Sequence, residues 1–529
     1  MSEVNLQALA ETDNDRIEAK APTPMQEVNT ALQVCGFGRF HIRLLTAALC
    51  GFVSGVITSN TTSFLLPSAE CDLRMNLVQK GLLNASPYIG MLFSSIIAGF
   101  LTDTFGRKVF IYTGSIGMGF FLIVSGSSQT FEVLVTSKFF EGILFATSFS
   151  AVVALTSEFC HNGIRDRVVI IQSSFQSFGQ VIVALMSWGI LSNEWHYSLF
   201  GGKFVLNTWN FYLYIMALWP LLACFMYIFV PESPKYLISQ GKFAEARDTL
   251  TRIYRENNRN AVDKSPFKDL WKKNEMEQKL EAVPENEGKE TIAHQIVVSL
   301  HNIKPMFQKP LGFYLLLLCF VNFATMNLYN VTRLWFPQVS TIIEHNSFVT
   351  SDGQTQNLCQ MLDTYTTNLI ETRNETAVCI PIKSGDETYI NSLIIGSISI
   401  VPYFVSGMLV TKVGKKPLLF IGSLVTVGVT LGMRWADSKI IVVILFAFDI
   451  ALSQSMVCFN QAMVIEFFPT TTRTLAISVV MTMGRIGTLV GNIAFPILLK
   501  MGCAIPFYSL AGGMMCVVLM SLFLPTKKK

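Results

Sequence analysis

The sequence predicts an all-α membrane protein, with twelve transmembrane helices forming two pseudo-symmetric six-helix bundles. Three observations carry that expectation: a charge-poor composition, twelve long apolar segments, and a repeat relating the first six segments to the last six. By length, 529 residues would make three or four ordinary soluble domains. Yet hydrophobic residues are 51% and charged residues 14%, where soluble domains average roughly 25% charged. Phenylalanine occupies 41 positions, and the mean hydropathy is +0.45. Such a chain has too few polar groups to cover its surface, so much of that surface faces the lipid bilayer. The formal charge of +4 is small and dispersed, which gives no reason to expect nucleic acid as a partner. The composition excludes a soluble enzyme, a disordered scaffold and a secreted disulfide module.

A spanning helix needs roughly 20 mostly apolar residues. In the first half, 43–66, 79–102, 108–127, 131–156, 168–192 and 209–230 qualify; in the second, 312–336, 390–411, 416–434, 440–464, 474–499 and 503–524 do. The tail 1–42 is polar and lacks a charged-then-apolar signal peptide, so the first span is expected to direct insertion. The two bundles are then 43–230 and 312–524, separated by a polar central loop, 231–311. Within that loop GKFAEARDTLTRIYREN has helical spacing and mixed charge and reads as a solvated helix. A basic tail, 525–529, closes the chain.

Charge asymmetry sets the expected orientation. Pro231–Pro310 carries 14 Lys/Arg against 12 Asp/Glu, whereas Pro337–Tyr389 carries only Arg373 and Lys383 against seven acids. GRKV, Arg165, Arg167, VGKKP and the terminal KKK all fall on the side of the central loop. The positive-inside rule makes that side, and both termini, cytoplasmic. The loop 337–389 then faces outward or into a lumen, in the plasma membrane or an intracellular vesicle membrane. It holds the sequon Asn374-Glu-Thr and the cysteines Cys359 and Cys379, and a glycan and a disulfide both suit that compartment. The sequon matches at Asn60, Asn84 and Asn330 fall inside predicted spans. Eleven cysteines without a C-x-x-C pair give no zinc or redox motif. No phosphate-binding glycine loop or catalytic triad is present, so no cofactor, enzyme activity or ATP-driven pumping is expected.

The internal repeat is the most informative signal. Gly99-Phe-Leu-Thr-Asp103-Thr-Phe-Gly106-Arg107-Lys108 follows the second span; Gly407-Met-Leu-Val-Thr411-Lys-Val-Gly414-Lys415-Lys416 follows the eighth, 308 residues on. The same offset carries Glu141 to Asp449, Glu158 to Glu466 and Arg165 to Arg473. Because six spans is an even number, both halves share one orientation, related by an axis along the membrane normal with a cavity between them.

These residues also carry a family resemblance covering nearly the whole chain from Cys35. GFLTDTFGRK resembles the loop signature of the major facilitator superfamily, and PESPKYL (231–237) that of sugar porters and organic ion transporters after helix six. EFFPTTTR followed by MGRIG, together with CGFGRF before the first span, is similar to the synaptic vesicle glycoprotein 2-like and organic ion transporter groups. The resemblance implies the major facilitator fold and alternating access. It also implies a cytoplasmic latch built from Asp103, Gly106 and Arg107, extended by Glu158, Arg165, Glu466 and Arg473. Thr411 replaces the acid expected in the second copy, so the second latch should be the weaker one or be absent.

Ionisable groups inside spans are costly and mark function by default. Lys138, Glu141, Asp449 and Arg485 are such groups. Lys138 and Glu141, at i and i+3, can also neutralise each other. Asp449 and Arg485 lack such a local partner and are expected to share a substrate cavity. The first span offers Asn60 but no acid, and no histidine falls within a span, so a standard proton relay has little support and ion coupling stays open. Gln172, Gln176 and Gln180 share one face of span five, while Asn322, Asn327, Tyr329 and Asn330 interrupt span seven. Unpaired amides cost several kcal/mol in hydrocarbon, so these stripes face protein or a wet cavity. Asn60, Lys138, Glu141, Gln172, Gln176, Asn327, Tyr329, Asp449 and Arg485 are the cavity candidates. The expected function is transport of a small polar or charged organic solute, coupled or facilitative. The competing reading is a non-transporting membrane protein of transporter fold that binds partners through its glycosylated loop.

Overall fold

The computed structural model describes residues 24–202, 204–258, 266–267, 270–271, 307–346, 356–374, 383–401, 405, 409, 412–468 and 470–525. Side chains at 95–105, 166, 170, 200, 368–374 and 470–474 lie outside the described set. In order, the elements are α1 (Pro24–Cys35), α2 (Arg39–Ala69), α3 (Leu77–Phe105), α4 (Arg107–Gly126), α5 (Phe131–Glu158) and α6 (Asn162–Leu191). A hairpin follows, β1 (His196–Leu199) and β2 (Phe204–Asn207), then α7 (Thr208–Met216), α8 (Leu218–Ile228), α9 (Pro234–Ser239) and α10 (Phe243–Asn257). The second half holds α11 (Leu311–His345), α12 (Leu358–Asn374), α13 (Asp386–Ile398), α14 (Lys415–Gly432), α15 (Lys439–Phe467), α16 (Thr470–Leu499) and α17 (Ala504–Phe523).

The chain divides into two units. The smaller comprises residues 1–42, 158–166 and 232–284. Its α9 starts with Ser233 capping the Tyr236 amide at 3.3 Å and Pro234 in the first turn, where proline's missing N–H costs nothing. The expected solvated helix is α10, which buries Phe243, Ala246, Leu250 and Ile253 along one face. Asn257 at its end donates to the carbonyls of Cys35 and Gly36, at 3.1 and 3.0 Å, and accepts from the Phe40 amide at 3.1 Å.

The larger unit comprises 43–157, 167–231 and 285–529. Ten helical segments among its described residues and their flanks are long and apolar enough to cross a membrane, α7 and α8 together making one. The second expected span falls within α3, whose side chains 95–105 lie outside the described set, and α13 covers 390–398 of the eighth, much of whose remainder lies outside the described residues. Local chemistry fixes the ends. Asn76 and Gln79 form a reciprocal capping box at the start of α3, at 2.7 and 2.9 Å. Gly106 (φ 94°, ψ 154°) separates α3 from α4, and Gly414 (φ 93°, ψ 160°) precedes α14. Only glycine occupies that region readily, and the two glycines stand 308 residues apart. The repeat read from sequence is therefore also a repeat of backbone geometry.

Small residues let helices approach closely. A Cβ on Gly142 would strike the Pro87 carbonyl, and one on Gly90 the Phe139 carbonyl, so α3 and α5 cross almost backbone to backbone. Gly487 meets the Phe323 carbonyl in the same way where α11 packs along α16. Two features were not expected from the sequence. The β1–β2 hairpin, His196 opposite Asn207, interrupts the helical order. And α11 continues nine residues beyond the expected end at Phe336, through an internal Pro337.

Candidate functional site

Between the two halves of the larger unit lies a cavity of about 40 Å³. Asn60 of α2, Gln180 of α6, Arg333 of α11 and Ser392 of α13 reach it, with Ser63 beside Asn60. Phe64, Phe336, Ile395 and Ile450 supply apolar wall. Small-molecule sites run to roughly 300–1,000 Å³, so the cavity as it stands is too small to hold a solute.

A polar cluster stands beside the cavity. One terminal nitrogen of Arg333 donates to the Tyr88 hydroxyl at 2.9 Å and to Asn330 Oδ1 at 2.8 Å, and the guanidinium lies 5.0 Å from the Tyr329 ring centre. Tyr88 Oη donates to Asn330 Oδ1 at 3.0 Å, while Asn330 Nδ2 donates to Thr488 at 2.9 Å. Gln180 donates to the Tyr329 hydroxyl at 3.1 Å. Both halves thus contribute to one network, and α11 runs through its centre.

The expected candidates separate into three groups. Asn60 lines the cavity, and Tyr329 reaches it through Gln180 and Arg333. Lys138 and Glu141 are fully buried and closed on each other at 2.8 Å, with Thr61 and Ser125 completing their hydrogen bonds. Gln172 donates to Thr156 at 3.2 Å, tying α6 to α5. Gln176 is half-buried, and Asn327 packs against Gly491 of α16. Asp449 does not join Arg485. Its carboxylate accepts from Thr430 of the preceding helix at 2.7 Å, as Glu141 accepts from Ser125 in the first half. Arg485 instead donates to the Met91 carbonyl of the opposite half at 3.2 Å. Asp449 and Arg485 were expected to share one cavity; here Asp449 is hydrogen-bonded to α14 and Arg485 to α3. Neither residue lines the cavity.

At the Gly414 end, Lys415 pairs with Glu466 at 2.8 Å. In the smaller unit, Lys235 lies among Glu158, Arg165 and Cys160; burial and the Arg165 charge lower its pKa, against Glu158. Gly106 is buried at its helix break. The Asp103 and Arg473 side chains and Thr411 fall outside the described residues.

The opposite end of the bundle holds groups the sequence reading passed over. Lys80 and Glu70 pair at 2.6 Å while buried, and Tyr365 of α12 accepts from Lys80 at 3.2 Å and from Gln338 at 3.3 Å. Here α12 is fastened to its own half. Cys359 is bonded to Cys503, the Leu358 amide donates to the Ala436 carbonyl at 2.8 Å, and Asp363 accepts from the Cys503 amide at 2.7 Å. The expected Cys359–Cys379 pairing is thereby corrected. Sharing a loop suggested it, but docking of α12 brings the Cα atoms of Cys359 and Cys503 to 5.1 Å, within disulfide reach. Cys379 lies outside the described residues, as does the Asn374 side chain. Lys80 was readable as a charge near a span end, and Arg333 as a charge in span seven. The short predicted span put Arg333 one turn from its end, whereas the true helix places it well inside.

Residues 42–331, over half the chain, match the sugar (and other) transporter family, and residues 388–529 match the major facilitator superfamily. The chain belongs to this family of membrane transporters, and is an integral multi-pass membrane protein. Among curated proteins it is similar to rat synaptic vesicle glycoprotein 2B, 27% identical over 234 residues, and to rat synaptic vesicle glycoprotein 2A, 26% identical over 235. Each match covers 44% of this chain, but only 34% and 32% of those longer relatives. Among solved structures it is similar to the xylose transporter XylE from E. coli in a partially occluded inward-open conformation. That likeness has a TM-score of 0.61 at 16% identity, covering 92% of this chain and all of that one. A nucleoside transporter gives a TM-score of 0.57 at 10% identity, covering 92% and 99%. At such identities these neighbours speak to the fold, which is the major facilitator fold.

Proposed function

We propose that the protein is a secondary transporter of a small polar or charged organic solute, carrying it through the central cavity by alternating access. The observation that carries this reading is the cavity itself: it lies between the halves, and Asn60, Gln180 and Arg333 bring polar groups to it from helices of both. Rocking the halves would open it first to one side and then to the other. The Gly106/Gly414 end is the cytoplasmic one, and both termini are cytoplasmic. Asp103 and Arg107 form the cytoplasmic latch; the Lys415–Glu466 pair supports a counterpart in the second half. The Tyr365 end is then outer or lumenal, with a glycan on Asn374, in the plasma membrane or a vesicle membrane. Lys138 and Glu141, closed on each other, give no support to a proton relay through that pair.

Uptake into proteoliposomes tests the reading. Time-dependent accumulation of some member of a polar solute library above protein-free vesicles supports it. No accumulation of any member, with folded protein in the bilayer, overturns it in favour of a partner-binding role.

A further inference from the structure

We infer that Asp449 is a proton switch on the central cavity, neutral while the cavity is closed and giving its proton to water as the cavity opens, an inference resting on alternating access at that cavity. The internal repeat shows what Asp449 lacks. The offset of 308 residues that carries Glu141 to Asp449 carries Lys138 to Phe446. In the first half the buried acid meets its lysine at 2.8 Å. In the second half a phenylalanine stands in the lysine's place, so the acid has no cation on its own helix face.

The surroundings supply no replacement. The Asp449 side chain is fully buried, and its Oδ2 has no hydrogen-bond partner. Oδ1 meets Thr430, whose single proton is shared with the Thr426 carbonyl, at 2.7 and 2.9 Å. Thr332 of α11 stands beside the carboxyl but donates to the Leu328 carbonyl at 2.8 Å, so what it offers the acid is a lone pair. The charged groups on the elements packed against α15 have other partners. Arg333 of α11 holds Tyr88 and Asn330, Arg485 of α16 the Met91 carbonyl, and Lys415 of α14 Glu466. Lys416 reaches the Leu522 and Leu524 carbonyls, and Arg434 the Tyr508 hydroxyl. Glu344 of α11 accepts from the Gly385 amide, Asp386 of α13 from Trp188, and Glu387 pairs with Lys439 of α15 itself. Among the described residues, no charged group acts on Asp449. A carboxylate so placed would be an unpaired charge in a dry interior, where such a group takes up a proton instead.

Position ties the acid to the cavity. Ile450, the next residue, is in the cavity wall, and the Phe446 ring lies 5.3 Å from that of Phe336 in the same wall. Moving those walls apart admits water to Asp449, and the proton passes from the acid to that water. Opening thus releases one proton. The closed form is favoured at low pH and is lost as pH rises, by at most about tenfold per pH unit.

The test needs no solute. A cysteine at Ser392, in the full chain with its free cysteines replaced, reports opening in nanodiscs, where both faces meet a thiol reagent. Its modification rate is measured from about pH 5 to about pH 8 and divided by the rate in the same chain carrying Asp449→Asn, which cancels the ionisation of the thiol itself. That ratio is expected to rise at least about fivefold over the range, within the one-proton limit. Phe446→Lys, which restores the first-half arrangement, is expected to behave as Asp449→Asn does and replaces it as the reference if that variant fails to fold. A ratio that stays flat or falls overturns the switch, whether or not the chain accumulates solute. A rising ratio in a chain that moves no solute keeps the switch and removes the transport reading alone.

Discussion

Removing one partner of the Lys138–Glu141 pair should be far more damaging than removing both. Each side chain has no solvent exposure, and they meet at 2.8 Å. In Lys138→Met, the Glu141 carboxylate keeps only Ser125, at 2.8 Å, as a described partner. In Glu141→Gln, the ammonium keeps Thr61, at 3.1 Å, and a neutral amide. Breaking a buried pair by removing one ion costs about 3–5 kcal/mol, whereas replacing both by apolar groups of similar volume is often neutral or stabilising. The stranded hydroxyl of Ser125 or Thr61 adds about 1–3 kcal/mol, so the double variant Lys138→Met/Glu141→Leu should sit within that range of wild type. Thermal unfolding of detergent-purified protein, read by loss of the monodisperse peak, measures all three. Transport by the double variant should persist, because neither residue lines the cavity. Singles as stable as wild type, or a double variant as unstable as the worse single, would refute the claim that the two residues serve mainly to neutralise each other.

Three further outcomes follow from the same geometry. Gly106→Ala and Gly414→Ala should each cost about 1–3 kcal/mol, the strain of a side chain in glycine-only backbone; equal stability on thermal melts would contradict it. Tyr365→Phe should leave Lys80 and Gln338 short of an acceptor, costing about 1–3 kcal/mol, and raise thiol-reagent access to a cysteine introduced at Gln338. Burial raises the Tyr365 pKa above the ordinary tyrosine value, so its contribution is whole below that value and is lost as pH rises through the raised one. Peptide mapping without reduction should recover Cys359 linked to Cys503, and a Cys359–Cys379 peptide would contradict the docking of α12.

Much of the fold was legible because its cause is local. Lipid demands long apolar helices, and Gly106 and Gly414 announce their backbone by residue type alone. The Lys138–Glu141 pair was legible for the same reason, its spacing being a property of one helix. The site was less so, since its neighbours come from separate helices. Arg333 becomes prominent only when α11 is seen to run on to His345, and its contact with Tyr88 joins residues 245 apart. Asp449 and Arg485 were assigned to one cavity from the sequence adjacency of their spans, which says nothing about which faces meet. The Cys359 partner was misassigned on similar grounds, as loop membership is not distance.

The central claim is that solute crosses between the halves through the cavity lined by Asn60, Gln180, Arg333 and Ser392. Its most direct test places a single cysteine at Ser392, in a chain whose free cysteines are replaced, and measures modification by a membrane-impermeant thiol reagent in sealed vesicles. Reaction from both sides of the membrane, slowed by a transported solute, is the predicted result. Reaction from one side only, whatever solute is present, would contradict alternating access through this cavity.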